Sequence, residues 1–381
     1  VSLPTSPLPS PRAGIGYCSS SSQWHGWMER ALQLAALGAG RTSPNPMVGA
    51  LVLDRSGQLV GEGFHAAAGE PHAEVGALVQ AGERARGGTL IVTLEPCCHQ
   101  GRTPPCSQAV IRAGLARVVV AMADPDPRVA GRGIAQLRSA GLEVIVGVAE
   151  AAALRLNRAF LHRVQTGRPL AILKWAMGVD GRTALPNGAS QWISGSASRD
   201  WVHHLRASCD AVIVGGGTVR ADDPLLTSRG RRSPEPLRVV LSRSLALPEQ
   251  ARLWDQADAA TLVAHGYEAQ PRRRFQLDRR GVERLVLSRC EPTELLEALA
   301  RRGCNQVLWE CGPALAAAAL RVGAVQEIVA VIAPKPMGGL AAFTPLDDLG
   351  FTAMDQVAAW TARPPSVLDG DLLWRLEAPA S

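Results

Sequence analysis

Short apolar runs recur along this 381-residue chain, and most lead into a stretch whose apolar residues return at helical spacing. A strand must bury a face and a helix a stripe, so alternation of the two points to helices layered on a mainly parallel sheet. The pattern predicts helices over 27–37, 72–81, 105–113 and 133–140, with strands over 48–53, 89–94, 117–122 and 142–148. That set makes a three-layer α/β domain with a largely parallel sheet. Charged residues over 157–169, closed by Thr166-Gly167-Arg168-Pro169, mark a boundary. A second α/β series follows, with strands over 170–175, 211–215, 237–241, 261–264, 284–287, 306–310 and 326–333, and helices over 196–206, 293–302 and 313–322. Domains are therefore expected over 24–167 and 168–381, behind a Ser- and Pro-rich leader over 1–23 that is expected to be disordered. The Arg- and Pro-rich stretch 229–236 is expected to be a loop.

Composition narrows the class. Hydrophobic residues make up 46% and charged residues 19%, which suits a globular protein with an ample core. No apolar run reaches the roughly 18–20 residues of a membrane helix. The leader lacks the basic start and apolar core of a signal peptide, so a cytoplasmic location is expected and no membrane partner. A net charge of +6 admits a nucleic-acid partner, but the positive residues are scattered. The one dense cluster, 272–280, has no aromatic ladder for stacking bases. No nucleic acid is expected, and phosphorylated small molecules fit the balance better. Of the 40 Lys and Arg residues only Lys174 and Lys335 are lysine, which marks both as places where a compact ammonium serves better than a guanidinium.

The first half concentrates chemistry. His72-Ala73-Glu74 opens a predicted helix, Pro96-Cys97-Cys98 follows a predicted strand, and Cys106 stands at the next helix start. A structural zinc shell takes four protein ligands, and a catalytic one takes three and leaves a position open. His72, Cys97 and Cys106 satisfy the second arrangement, and Cys98 would have to join for the first. Zinc lowers the pKa of its water to about 7, and a carboxylate such as Glu74 beside it can carry the proton to a leaving amine. His-x-Glu followed by Pro-Cys and a further Cys is the signature of the zinc deaminases, here with the last spacing lengthened.

The run Glu95-Pro-Cys-Cys-His-Gln-Gly-Arg-Thr-Pro-Pro-Cys106, with Arg41–Gly49, Gly69–Val75, Asp124–Pro127 and Val129–Gly133, resembles the deaminase half of the bifunctional riboflavin-biosynthesis deaminase/reductase family. The resemblance implies a cytidine-deaminase-like three-layer domain that hydrolytically removes the 2-amino group of a diaminopyrimidinone carrying a ribosylamine phosphate. It further implies that Asn45, His65, His99 and Arg102 line the substrate pocket. Cys98, Gln100 and Gly76 depart from the pattern, which has Ser, His and often His there.

In the second half, Leu173–Ala184 places Lys174 on the first strand, 211–224 runs from a strand into Gly215-Gly216-Gly217, and 307–317 repeats strand, glycine and helix. Such turns bring backbone N–H groups close to phosphate or ribose, and a helix N-terminus can hold a pyrophosphate. Together with Ser190-Gln-Trp-Ile193, 198–206, 218–229 and Ile332–Lys335 these stretches resemble the reductase half of the same family. The resemblance implies a dihydrofolate-reductase-like α/β domain that uses NADPH to reduce the ribosyl side chain to ribityl. It implies contacts to the sugar phosphate from Ser190, Arg206, Leu226, Arg229 and Glu310, and to NADPH from Ala176, Trp192, Thr218, Asp222, Gly312, Pro313, Ala314, Leu315, Ala316, Ala317 and Ala318. Lys174, Asp222 and Glu310 are the candidates for proton handling, and Lys174 is expected to be catalytic beside Glu74. Family members form homo-oligomers, so one is expected. Gly178 stands where Ser is usual, and Ser242 follows Leu241 where an Asp-Ser pair often ends the strand. One active half with a scaffold partner, a nucleic-acid deaminase, and a closed structural zinc module remain as alternatives.

Overall fold

The computed structural model describes residues 22–98, 104–126, 129–339 and 343–379. The expected leader lies outside these apart from Ser22 and Gln23, which open the first helix. Its chain order runs α1 (Ser22–Ala36), β1 (Gly49–Leu53), β2 (Leu59–Phe64), α2 (Ala73–Ala81), β3 (Thr89–Val92), α3 (Cys106–Arg112), β4 (Arg117–Val120), α4 (Arg132–Ser139), β5 (Glu143–Val146), α5 (Glu150–Leu156) and α6 (Arg158–Thr166). The five strands form one sheet in the order β2-β1-β3-β4-β5.

Alternate residues of each strand serve opposite layers. Leu51, Leu53, Ile91 and Val119 pack against α1, α5 and α6 through Met28, Ala31, Ala153 and Phe160. Ala50, Val52, Leu90 and Val118 pack against α2, α3 and α4 through Ala73, Ala77, Val110 and Leu137. The three layers match the expectation. β1 is antiparallel to both of its neighbours, β2 and β3, while β3, β4 and β5 pair in parallel, so four of the five strands point one way. The sequence reading misses β2 because Gly61 and Gly63 break its pattern and look like turn residues. They are there for packing: a Cβ on either would fall 2.1 Å from the Ala77 carbonyl oxygen or 2.5 Å from that of Ala73. The glycines let α2 settle directly onto the sheet.

The second sheet draws on β6 (Leu170–Gly178), α7 (Ser196–Ala207), β7 (Ala211–Gly215), α8 (Gly216–Asp222), β8 (Leu237–Leu241), β9 (Thr261–Gly266), α9 (Pro271–Asp278), β10 (Glu283–Leu287), α10 (Pro292–Arg301), β11 (Gln306–Trp309), α11 (Pro313–Arg321), β12 (Glu327–Ala333), β13 (Thr361–Ala362), β14 (Ser366–Leu368) and β15 (Asp371–Glu377). Its order is β10-β9-β8-β7-β11-β6-β12-β15-β13, with β14 also on β15. The seven strands from β10 to β12 are parallel, and β15 turns antiparallel. Central strands buried on both faces read as continuous apolar runs, which is why β6 and β7 are plain in the sequence. The glycines at 215–217 do not make a separate turn, since β7 passes straight into α8 at Gly216. The basic cluster near 272–280 is largely α9, a surface helix anchored by buried Leu277.

The charged stretch taken as a boundary contains α6, whose residues reach into the second sheet. Glu327, 1% exposed at the start of β12, accepts from Arg158 of α6 and from Arg375 of β15, the latter through Nε at 2.6 Å. Removing the shared carboxylate leaves two guanidiniums facing each other with partial solvent access. Glu327→Ala is expected to cost about 2–3 kcal/mol, less than a fully buried pair because both arginines keep some water. Glu377→Ala, whose pairs lie nearer the surface, is expected to cost under about 1 kcal/mol. Urea unfolding of the two variants checks the difference.

Candidate active sites

The first site forms where α2, the loop after β3 and α3 converge. His72 is the N-cap residue of α2 and its side chain makes no capping bond. Cys106 is the first residue of α3, and its backbone N–H donates to Cys97 Sγ at 3.3 Å. His72 Nδ1 lies 3.2 Å from Cys106 Sγ and 3.7 Å from Cys97 Sγ. The three donor atoms lie within 4.8 Å of one another, and among the described residues they are the group arranged to hold a metal. Cys98 is not one of the three. With zinc bonds of about 2.0–2.3 Å, tetrahedral ligands stand about 3.5–3.8 Å apart. One imidazole and two sulfurs at these separations fit that ion.

The electrostatics agree. The thiol of Cys106 hydrogen-bonds Cys97, and with His72 close by this pulls Cys97 down to about 4. The same bond, with burial, pushes Cys106 up. His72 is raised, chiefly by its hydrogen bond with Cys97. Glu74, 3% exposed on the first turn of α2, is pushed up to about 7 by burial.

A cavity of about 470 Å³ opens onto this cluster, and His72, Glu74, Cys97, Asn45 and His65 line it. His65 is buried; its Nδ1 faces the Pro71 carbonyl at 3.2 Å and its Nε2 faces Asn45 Nδ2 at 3.1 Å. That network sets the tautomer with the proton on Nδ1 and Asn45 as donor to Nε2. His99 and Arg102 lie outside the described residues. Further lining residues were not anticipated: Glu70, Glu95, Asp124, Asp126, Phe160 and Arg163. Glu95 has a supporting task, accepting from the backbone N–H groups of Asp124, Gly131 and Ile134 and so fixing that loop.

The second site lies at the carboxyl ends of β6, β7 and β11. Arg206 of α7 grips Glu310 in a fork, Nε to Oε1 at 2.5 Å and Nη2 to Oε2 at 3.0 Å, and donates Nη1 to the Thr227 carbonyl at 3.0 Å. Burial alone would raise Glu310; Arg206, with Lys174 behind it, overrides burial and holds the carboxyl at about 2. Lys174 on β6 is lowered by burial, with Glu310 opposing. Thr218 Oγ1 accepts from Gly312 N at 3.1 Å, joining α8 to the N-terminus of α11, and Ser190 Oγ donates to Asp222 at 3.3 Å. Ala316 and Ala317 have buried side chains, whereas Gly312, Pro313, Leu315 and Ala318 are half-buried and Ala314 is exposed. The leading N–H groups of α11 have no carbonyl ahead of them in the helix. Leu226 is also buried, with φ of 58°, so its backbone is what a ligand could meet. Trp192 is 64% exposed beneath the Arg199 guanidinium, and Lys335 Nζ donates to the carbonyls of Trp192 and Ile193. His203 was not anticipated: burial, then Arg206, Arg229 and Arg231, push it down to about 4, which marks a concentration of positive charge.

Two family models match the chain, the cytidine and deoxycytidylate deaminase zinc-binding region over residues 21–122 and the RibD C-terminal domain over 169–368. The riboflavin biosynthesis protein RibD of Synechocystis is 52% identical over 336 residues, covering 88% of this chain and 90% of that one. The chain belongs to the bifunctional riboflavin-biosynthesis deaminase/reductase family. RibD of Acinetobacter baumannii superposes with a TM-score of 0.85 at 40% identity, covering 94% of this chain and 99% of that one. The diaminohydroxyphosphoribosylaminopyrimidine deaminase/5-amino-6-(5-phosphoribosylamino)uracil reductase of Thermotoga maritima gives 0.83 at 34% identity, with the same coverage. Both folds named in the resemblance are present, and the protein is a bifunctional deaminase and reductase of riboflavin biosynthesis. Family departures have local reasons in one case: a Cβ on Gly178 would fall 2.4 Å from the Lys335 carbonyl oxygen, so the usual Ser has no room here. For Gly76 the nearest atom to a Cβ is 3.7 Å away, and packing does not demand glycine.

Glu310 sits below its unfolded value of about 4.3, so its contribution to stability is present above that pH and is lost as pH falls toward about 2. Acid unfolding between pH 5 and 2, followed by circular dichroism, is expected to be shallower in Glu310→Gln than in the parent.

Proposed function

We propose that the first site removes the 2-amino group of 2,5-diamino-6-(5-phosphoribosylamino)pyrimidin-4-one, and that the second reduces the deaminated product to 5-amino-6-(5-phosphoribitylamino)uracil. The observation that carries the reading is a three-donor cluster with a buried carboxyl beside it at the end of a cavity. His72, Cys97 and Cys106 would hold zinc, which supplies Lewis acidity that acidifies water near neutral pH. Glu74 moves the proton. Water adds at the ring carbon bearing the amine, ammonia leaves, and the carboxyl oxygens of Glu74 carry the proton from one to the other. A carboxyl near pH 7 is matched to giving and taking at neutral pH. Asn45 and His65 hold the pyrimidine, with His99 and Arg102 as the remaining candidates.

In the second site NADPH would supply hydride to the sugar carbon bonded to nitrogen; the bond from that carbon to the ring oxygen breaks, and the released oxygen takes up a proton. Lys174 is the proposed donor. Arg206 and Arg229 supply positive charge for the sugar phosphate, with Ser190, Leu226 and Glu310 around them. Ala176, Trp192, Thr218, Asp222 and the first turns of α11, Gly312 through Ala318, receive the cofactor. No described helix is long and apolar enough to cross a membrane. A cytoplasmic homo-oligomer without nucleic-acid or membrane partners completes the reading. Exposed Phe351, Met354 and Val357, with Val367 on β14, offer apolar surface for self-association.

Mass spectrometry of the zinc-loaded protein with the diaminopyrimidinone is expected to show amine loss without NADPH and the ribityl product only with it. Glu74→Gln is expected to slow deamination by about 10²–10⁴-fold. It should keep the metal and the rate at which supplied deaminated intermediate is reduced. A variant that deaminates normally removes Glu74 from the mechanism.

A further inference from the structure

The reductase domain supplies none of the described lining of the deaminase cavity, but it backs one wall of it. The loop 42–46 brings Pro44, Asn45 and Pro46 to the cavity, and Arg163 of α6 joins them. On its other side this loop rests on two turns of the reductase domain, those before β7 and before β11. A Cβ on Gly40 would fall 2.3 Å from the Ala207 carbonyl oxygen, and one on Gly303 would fall 3.3 Å from Pro44 Cβ. Ser43 Oγ donates to Asp210 Oδ2 at 2.9 Å.

Asn305, 6% exposed just before β11, has both ends of its amide committed across this contact. Its Oδ1 accepts from Arg163 Nε at 2.5 Å and its Nδ2 donates to the Asn45 carbonyl at 3.3 Å. Arg163 also donates Nη2 to the Pro44 carbonyl at 2.8 Å. The Asn305 backbone N–H is itself fixed by Asp210 at 2.7 Å. On the deaminase side the loop is held by Asn157, which accepts from Met47 N at 2.8 Å and donates to Met47 O at 2.9 Å. Two buried asparagines, one from each domain, therefore clamp the segment that carries Asn45. Arg163 is the one arginine or lysine among the described lining residues, which include Glu70, Glu74, Glu95, Asp124 and Asp126. A phosphorylated substrate entering so acidic a cavity needs that charge correctly placed.

We propose that Asn305 is a positioning residue for the deaminase reaction: it orients Arg163 and the Asn45 loop, and so makes substrate affinity at the first site depend on the second domain. The proposal rests on the deaminase substrate assigned above. It touches neither the metal cluster nor the groups proposed for hydride transfer.

The test uses the full-length, zinc-loaded enzyme and measures deamination of the diaminopyrimidinone phosphate beside NADPH reduction of the deaminated intermediate. Asn305→Ala is expected to raise KM for deamination about tenfold, the size of one charge-assisted hydrogen bond, with kcat within about twofold. Reduction kinetics should stay unchanged. Asn305→Asp keeps the acceptor for Arg163 and is expected to bring KM back to within about threefold of the parent. An unchanged KM in Asn305→Ala overturns the proposal, as does a fall of both activities together with Tm in both variants. If the parent enzyme itself leaves this substrate untouched, the assigned substrate fails instead, and the two failures are distinguishable.

Discussion

The deaminase centre depends on how closely α2 can approach the sheet. Gly61 and Gly63 present bare backbone to the Ala73, Ala77 and Ala81 face of that helix. With side chains at those two positions the helix would have to lift away, and its N-terminus would move with it. His72 and Glu74 sit on that N-terminus, while Cys97 follows β3 in the middle of the same sheet. A metal-binding cluster tolerates errors of only a few tenths of an ångström in its bond lengths, so the glycine–alanine contact is part of the site although no atom of it reaches the cavity. The start of α3 adds to the same end: the Cys106 N–H points at Cys97 Sγ, and the positive end of a helix favours a thiolate there.

What the sequence discloses follows from how local each feature is. The metal donors are legible because a proline, two helix starts and a fixed residue order announce them within a few dozen positions. Central parallel strands such as β3, β7 and β9 are legible because both faces are buried. β2 is not, since the glycines that fit it to α2 are the residues that signal turns. α9 is hidden in an arginine cluster because a short surface helix needs only a residue such as Leu277 to anchor it. α6 is not legible as a helix in the charged stretch 157–169, since its charged residues mask an inner face that buries Phe160 and Leu161. Arg163 and Asn305 carry no local signal at all. They are 142 positions apart, and only the meeting of the two domains brings them together. The arginines around His203 are scattered along 206–231 and gain meaning only when α7 and the following loop fold against each other.

The two glutamates of the two centres show how surroundings assign a role to one side chain. Glu74 is buried beside sulfur and imidazole with no guanidinium to compensate, and its carboxyl is pushed up to about 7. A group there exchanges protons readily in neutral solution. Glu310 is also buried, but the fork of Arg206 occupies both of its oxygens and Lys174 adds a second positive charge. Held at about 2, it remains an acceptor across the physiological range and has no proton to give. The pairing also orients Arg206, whose remaining nitrogen is tied to Thr227, so all three guanidinium nitrogens are engaged. Lys174 stands in the opposite condition. Burial lowers its pKa, and Glu310 opposes that shift. That division of labour is the physical ground for naming Lys174 ahead of Glu310 as donor. It also accounts for a lysine at this position in a chain that otherwise uses arginine almost throughout, because a guanidinium keeps its proton under any such burial.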